Sequence, residues 1–263
     1  MKEYISKLQR KLYFLLAIAL ILPGFLFGII ADKDYIRYDY ETGRYYANKI
    51  YDFSKIRSIT KRKKMFIDFM SLIIKTENDE VLLNRIRIEE LSKKNDLTKD
   101  DFNFINNIEK VYLMDISETY QDVDWDELLH RVDIVPVDLA ITQAAIESGW
   151  GTSGFALEAN NLYGQWTYKV GSGIVPKRRD NGHTHEIAKF SSVNDSVKKY
   201  MLNLNTNRAY SNFRNLRAEL RNMNTELCGV KLSEGLVNYS GIGDEYIIMI
   251  NSIINDVSKI LEN

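Results

Sequence analysis

Cysteine, proline and histidine are scarce in this chain, with one, three and three of them in 263 residues. The lone cysteine, Cys228, excludes an intramolecular disulfide. A single thiol of this kind is expected to be a small buried hydrophobe rather than a nucleophile. An excess of either charge is also missing. Thirty-five Lys and Arg stand against 36 Asp and Glu, a net charge of −1, so no global field favours nucleic acid or another polyanion. Internal repeats and low-complexity tracts are absent, so no repeat architecture is indicated. What remains is an ordinary globular composition, 45% hydrophobic and 27% charged, sufficient for a sizeable core. The sixteen tyrosines permit aromatic binding platforms, although most are expected in or beside the core.

The one long hydrophobic run is N-terminal. Lys2, Lys7, Arg10 and Lys11 precede nineteen uncharged residues, Leu12 to Ile30. At about 1.5 Å per residue this run matches one hydrocarbon core, and the basic flank directs the remainder across the membrane. Residues 1–31 are therefore expected to form an uncleaved signal anchor, with cleavage after the small residue Ala31 as the alternative. Residues 32–60, rich in Asp, Lys and Tyr and lacking sustained periodicity, read as a tether. Residues 61–129 read as a helical accessory region. Phe66, Phe69, Met70 and Ile73 recur at helical spacing, and the basic run 61–64 reads as a solvated helix end. Thr98, Asp100 and Asp101 cap a helix carrying Phe102, Ile105 and Ile108. Helix is expected to continue from Val111 to Tyr120 and to resume from Asp124 to Val132.

The character changes at Pro136, which suits a first helical turn. Residues 137–150 continue that helix, and the Gly and Asn residues that follow mark turns. Residues 165–190 read as two short strands around an irregular loop, and helices are expected again over 193–204, 213–222, 231–238 and 244–262. Residues 130–263 thus read as one mainly helical domain with a small β-hairpin lobe, an α+β arrangement.

Glu147 is the chemically notable residue of this domain. Cleaving a glycosidic bond requires a proton at the leaving oxygen, and a carboxylic acid whose pKa is raised by apolar burial is the usual donor. Glu147 closes the helix AITQAAIE, with small Ala144 and Ala145 behind it, Ile146 and Trp150 beside it, and Gly149 and Gly151 opening the adjoining space. On its residues alone the position is equally open to a solvated glutamate. An acid set against the helix macrodipole, beside an aromatic and two glycines, is nonetheless unusual.

The string ITQAAIESGWGTSGFALEANNLYGQWTY, residues 141–168, resembles the active-site signature of bacterial endo-β-N-acetylglucosaminidases of the lysozyme-like superfamily, and among them the Bax-like peptidoglycan hydrolases. The shared pattern is A-x-x-E-S-x-W-G-x-S followed by N-N-L-aromatic-G. Residues 185–210 and 232–250 are similar to that family in order and spacing, so the likeness covers roughly 130–262. The resemblance implies a lysozyme-like fold, Glu147 as general acid, and Ser148, Trp150 and Ser153 shaping the acid's loop. It implies Asn160, Asn161 and Tyr163 as the floor of a cleft, with Trp166 and Tyr239 lining it and Tyr210 beside the scissile sugar.

The second catalytic group is less explicit. An inverting enzyme places another carboxylate about 6.5–9.5 Å from the acid, a retaining one about 5 Å. Glu186 on the β lobe is the leading candidate, with Glu158 and Asp180 as alternatives. The substrate's N-acetyl group could instead serve as nucleophile, oriented by Tyr210. His183 and His185, flanking Thr184, could ligate zinc in principle, but no other ligands accompany them, and no metal or cofactor is expected. The implied activity is hydrolysis of peptidoglycan between N-acetylglucosamine and N-acetylmuramic acid. A muramidase or lytic transglycosylase on the same fold, or a tethered non-catalytic peptidoglycan-binding protein, are the rivals. N-L-Y-G-Q-W stands where transglycosylases carry G-L-M-Q. The protein is expected to be exported and to face the periplasm or cell wall through its anchor. It would act as a monomer on glycan strands and bind no nucleic acid.

Overall fold

Apolar spacing beginning at Ile59 generates the longest element, and most of the chain is arranged around it. The computed structural model describes residues 35–176 and 185–262. The apolar run 12–30, Asp180 and His183 lie outside the described residues. Helix α1, Ile59–Leu91, is capped by Ser58, whose side chain accepts the Lys61 N–H. Its first half puts Met65, Phe66, Phe69, Met70 and Ile73 into the main core, and its far end puts Ile88 and Leu91 into a smaller second one. No helix among the described residues is long and apolar enough to cross a membrane.

The expected tether is not one from Tyr35 onward. Strands β1 (Arg37–Asp39) and β2 (Arg44–Tyr46) pair antiparallel, Tyr38 opposite Tyr45. Ile36, Ala47, Ile50, Phe53 and Ile56 lie in the same core as the domain expected over 130–263. Alternation in YIRYDY and the Gly43 turn supply the hairpin, and apolar residues at 47, 50, 53 and 56 hold the following stretch down. Asn194 stitches it in place, accepting the Ala47 N–H at 2.9 Å and donating to the Tyr45 carbonyl and to Glu77.

Helix α2, Lys99–Val111, opens with the expected cap, a reciprocal pairing of Thr98 and Asp101. The helix expected over 111–120 does not follow. Leu113 adopts φ 56°, and the Glu109 carboxylate accepts both the N–H and the Oγ of Ser117, folding the chain back. Helix α3 is Trp125–Arg131, capped by Asp124. Then come α4, Val137–Ser148, and α5, Gly154–Ala159. The β lobe has three strands rather than two: β3 (Trp166–Thr167), β4 (Gly173–Ile174) and β5 (Glu186–Ala188), ordered β3-β5-β4 and antiparallel. Helices α6 (Val193–Thr206), α7 (Ser211–Asn222), α8 (Gly229–Ser233) and α9 (Asp244–Leu261) complete the chain, with a 3-10 segment at Glu234–Tyr239. Cys228, expected to be buried, is exposed at the start of α8, where the chain turns into the helix.

A buried ionic hub joins the two cores. Asp133 and Arg217 are both almost fully buried. Asp133 pairs with Arg221 at 2.7 Å and with Arg85 at 3.4 Å. Arg217 donates to the His130, Asp133 and Ile134 carbonyls and to Asn205 Oδ1. Burial pushes the Asp133 carboxyl up, but the Arg221 hydrogen bond and the Arg217 and Arg85 charges outweigh it and hold it below the usual value. A depressed carboxyl stabilises above its unfolded pKa, and that contribution is lost as pH falls through the folded one. Arg217→Met is therefore expected to cost about 3–5 kcal/mol at neutral pH, measured by urea denaturation. Its deficit should narrow in acid as Asp133 protonates.

Candidate active site

Helix α4 is apolar nearly all round and buried, so the polar residues it carries inside must be paired. Gln143 and Glu147, four residues apart, share one face of it. Helix α9 packs along α4 and brings Tyr246 to both. The Tyr246 hydroxyl donates to Glu147 Oε1 at 2.9 Å and accepts from Gln143 Nε2 at 3.2 Å. Gln143 Oε1 in turn accepts the Tyr200 hydroxyl at 2.6 Å. Gln143, Tyr200 and Tyr246 are buried, whereas Glu147 is half-buried. The chain of donors has one direction. Because Tyr246 receives a hydrogen from Gln143, its own single proton is directed to Glu147.

The other carboxylate oxygen faces the turn after α5. A Cβ at Gly164 would lie 3.0 Å from Glu147 Oε2, and Gly164 has φ +62°. Both the space and the backbone angle therefore call for glycine. Burial pushes the Glu147 carboxyl up, the Tyr246 hydrogen bond draws it part of the way back, and the net result is a raised pKa. Tyr210 feels the Glu147 charge: its hydroxyl is raised by burial, lowered by a hydrogen bond with Asn203 and raised again by Glu147.

Stacked tyrosines back this arrangement. Tyr163 lies flat on Tyr200 at 3.8 Å, Tyr239 on Tyr246 at 5.4 Å, and Tyr210 is 5.8 Å from Tyr239. Tyr239 donates from its hydroxyl to the Tyr163 carbonyl, fixing the turn that carries Gly164. The loop after Glu147 is unusual. Gly149, Trp150 and Gly151 are all left-handed, with φ 58°, 59° and 73°. It is braced from the N-terminal half of the chain. Trp150 meets Phe66 edge-on at 5.8 Å and carries Lys63 4.7 Å above its ring. A Cβ at Gly151 would come within 2.8 Å of Phe53.

Several of the expected site residues hold backbone. Ser148 is fully buried, donating to the Ala144 carbonyl and accepting the Gly151 N–H, so it shapes the acid's loop without reaching its surface. Ser153 caps α5. Asn160 accepts the Ile50 N–H and donates to the Asn48 and Phe190 carbonyls. Asn161 bridges Gln165 and the Ala188 carbonyl, closing the 161–165 turn onto β5. Tyr163 is buried, whereas Trp166 stands half-exposed on the lobe with His185 against its edge at 4.2 Å. Glu186 is buried, and both its oxygens accept backbone N–H groups, from Gly171 at 2.9 and 3.1 Å and from Gly173 at 2.8 Å. Its carboxylate thereby fastens the lobe's turn. Among the described residues no cluster of His, Cys, Asp and Glu is suited to a metal.

Gln143 and Tyr246 were not singled out from sequence, and Gly164 was read only as part of a turn and of the N-N-L-aromatic-G pattern. Gln143 could have been found from its i,i+4 relation to Glu147, whereas Tyr246 lies 99 residues from the acid and carries no local signal.

The family model described as mannosyl-glycoprotein endo-beta-N-acetylglucosaminidase matches residues 122–258, from just before α3 into the last turn of α9. Protein bax of Escherichia coli (strain K12) is 34% identical over 200 residues, covering 76% of this chain and 71% of that protein. That likeness is longer than the family match and so extends outside it. No solved structure matches the chain.

A raised carboxyl carries a stability cost with a definite sign. Between the unfolded and folded values the native state holds the extra proton, so stability falls as pH rises through that window. Glu147→Gln is therefore expected to raise the melting temperature at neutral pH and to leave it nearly unchanged at pH below the ordinary glutamate range. Calorimetry at the two pH values checks this.

Proposed function

Since this chain belongs to the mannosyl-glycoprotein endo-beta-N-acetylglucosaminidase family, and is in that general sense a glycan hydrolase, we propose that it cleaves peptidoglycan. The bond is the β-1,4 link between N-acetylglucosamine and N-acetylmuramic acid, and Glu147 is the general acid. The observation that carries this reading is the half-buried Glu147 carboxyl with a raised pKa, one oxygen held by Tyr246 and the other beside Gly164. A general acid must arrive protonated and deliver its proton in one direction. Tyr246 occupies Oε1, which leaves Oε2 to carry the proton toward the leaving oxygen.

The second group is the substrate itself. Glu186 already accepts two backbone N–H groups within the lobe, and the shift at Glu147 is accounted for by burial and Tyr246. Both features favour attack by the oxygen of the N-acetyl group on the anomeric carbon, with Tyr210 orienting that group, over a second carboxylate. Water then opens the intermediate, so the product keeps its anomeric configuration. Trp166, exposed on the lobe, supplies an aromatic face for a neighbouring sugar. Export, anchoring through residues 12–30 and action on glycan strands outside the cytoplasmic membrane complete the proposal. An anchor raises effective substrate concentration and limits which strands are reachable.

Mass spectrometry of fragments released from purified cell wall tests the bond. Reducing N-acetylglucosamine ends are expected, whereas reducing N-acetylmuramic acid or anhydro ends would overturn the assignment, and no release would leave only a binding protein. Glu147→Gln is expected to lower kcat by roughly a hundred- to ten-thousandfold, and Glu186→Gln by less than about a hundredfold. The reverse ranking would restore the two-carboxylate mechanism.

Tyr246→Phe removes a hydrogen bond that favours the ionised acid, so the Glu147 pKa should rise further. The alkaline limb of the pH–rate profile is then expected to move to higher pH, with a lower plateau from lost positioning. A limb that stays in place would detach Tyr246 from the acid.

A further inference from the structure

We propose that the N-terminal end of α1 is a docking face for an anionic phospholipid surface, and that it sets the orientation of the Glu147 site relative to the membrane. The inference rests on the reading of residues 12–30 as an anchor and is independent of which glycan bond is cut. Between Phe53 and Ile67 the chain has six cations, Lys55, Arg57, Lys61, Arg62, Lys63 and Lys64, and no acidic residue. Four of them stand in the first two turns of α1, which has no acid in its first turn. Cations there oppose the helix macrodipole, although Lys63 lies over Trp150 at 4.7 Å and Lys64 pairs with Asp68 at 3.3 Å. Ile59, at the first position of the helix, is 60% exposed among them. An exposed apolar side chain next in sequence to several cations is suited to a headgroup layer, where the charges meet lipid phosphates and the side chain enters the acyl boundary.

The chain's own layout puts this face toward the membrane. The apolar run ends at Ile30, and the core is already entered at Ile36, which is fully buried. Only residues 31–34 separate Ile30 from Tyr35, so the two can be no more than about 18 Å apart even if fully extended. Tyr35 touches Tyr51 at 5.3 Å, Tyr51 touches Phe53 at 5.3 Å, Phe53 touches Phe66 at 5.4 Å, and Phe66 touches Trp150 at 5.8 Å. One aromatic seam therefore links Tyr35, where the described chain begins, the basic end of α1, and the loop three residues beyond Glu147. So short a connection keeps the domain close to the end of the apolar run. Charge complementarity selects the face that rests on the bilayer, and the seam fixes the height of the acid above it.

The test uses the full chain carrying Cys228→Ser and Ile59→Cys, the latter labelled with a polarity-sensitive fluorophore. The chain is reconstituted with vesicles of phosphatidylcholine alone or with one-third phosphatidylglycerol. A blue shift is expected in the anionic vesicles and not in the neutral ones. It should be lost at high salt and in the combined variant Lys55→Gln, Arg57→Gln, Lys61→Gln, Arg62→Gln. Lys63 is kept because it holds Trp150, and an unchanged thermal melt shows that the variant is folded. Equal emission in both vesicles would overturn the proposal. So would an equal shift on adding soluble polyphosphate without vesicles, which would make the face a site for anionic polymers. Flotation with the neutral vesicles reads the anchor separately. A chain that does not float rejects the anchor, while the emission comparison still decides the docking face.

Discussion

The hydrogen bond from Tyr246 to Glu147 is the contact on which the geometry of the site depends. It joins two helices that meet nowhere near each other in sequence, α4 and α9, at the position where a carboxylate would otherwise be free to turn. Its direction is not left to chance. Gln143 donates to the tyrosine oxygen, Tyr200 donates to Gln143, and so the hydrogen of Tyr246 has one remaining place to go. A buried chain of this kind is stabilising only when every member is satisfied, which is why the tyrosines around it pack so closely. Moving α9, unstacking Tyr239 or losing Gln143 would each release the acid.

The loop beyond the acid shows what holding it requires. A non-glycine residue in the left-handed region costs about 1–2 kcal/mol, and Trp150 is such a residue between two left-handed glycines. An edge-on aromatic contact returns about 0.5–1.5 kcal/mol and a cation over the ring about 0.5–1, so Phe66 and Lys63 together are of the right size to offset the strain. Both belong to α1, and Phe53 and Ile50 close over Gly151 from the segment before it. The N-terminal half is thus built into the site. The same dependence appears on the far side, where Asn160 and Asn194 tie residues 45–50 to the turns that carry Gly164 and the β lobe.

Legibility followed the range of the interactions. The cap of α2, the start of α4 at Pro136 and the amphipathic run of α1 are encoded within a turn or two, and each was read from its own residues. The site residues 147–166 lie in one contiguous string, so their proximity was also legible. Their tasks were less so. Asn160 and Asn161 look alike in sequence whether they touch a ligand or hold a turn, and only the acceptors around them decide. The β1–β2 hairpin was missed because alternating tyrosines with few aliphatic residues resemble an exposed arm until Asn194, some 150 residues later, supplies its partners. Helix was overextended past Val111 because the break depends on the Glu109 carboxylate catching Ser117, a side-chain event without a periodic signal. Tyr246 was hidden for the simplest reason, since an aromatic on an amphipathic helix reads as core.

The raised pKa of Glu147 has two opposed causes, burial and the Tyr246 hydrogen bond, and burial outweighs the hydrogen bond. The most direct measurement is a titration of this one side chain, by carboxyl-stretch infrared difference spectroscopy of the protein against Glu147→Gln. A titration midpoint above the ordinary glutamate value is predicted, rising further when Tyr246 is replaced by Phe. A midpoint at or below the ordinary value would contradict the assignment of Glu147 as proton donor.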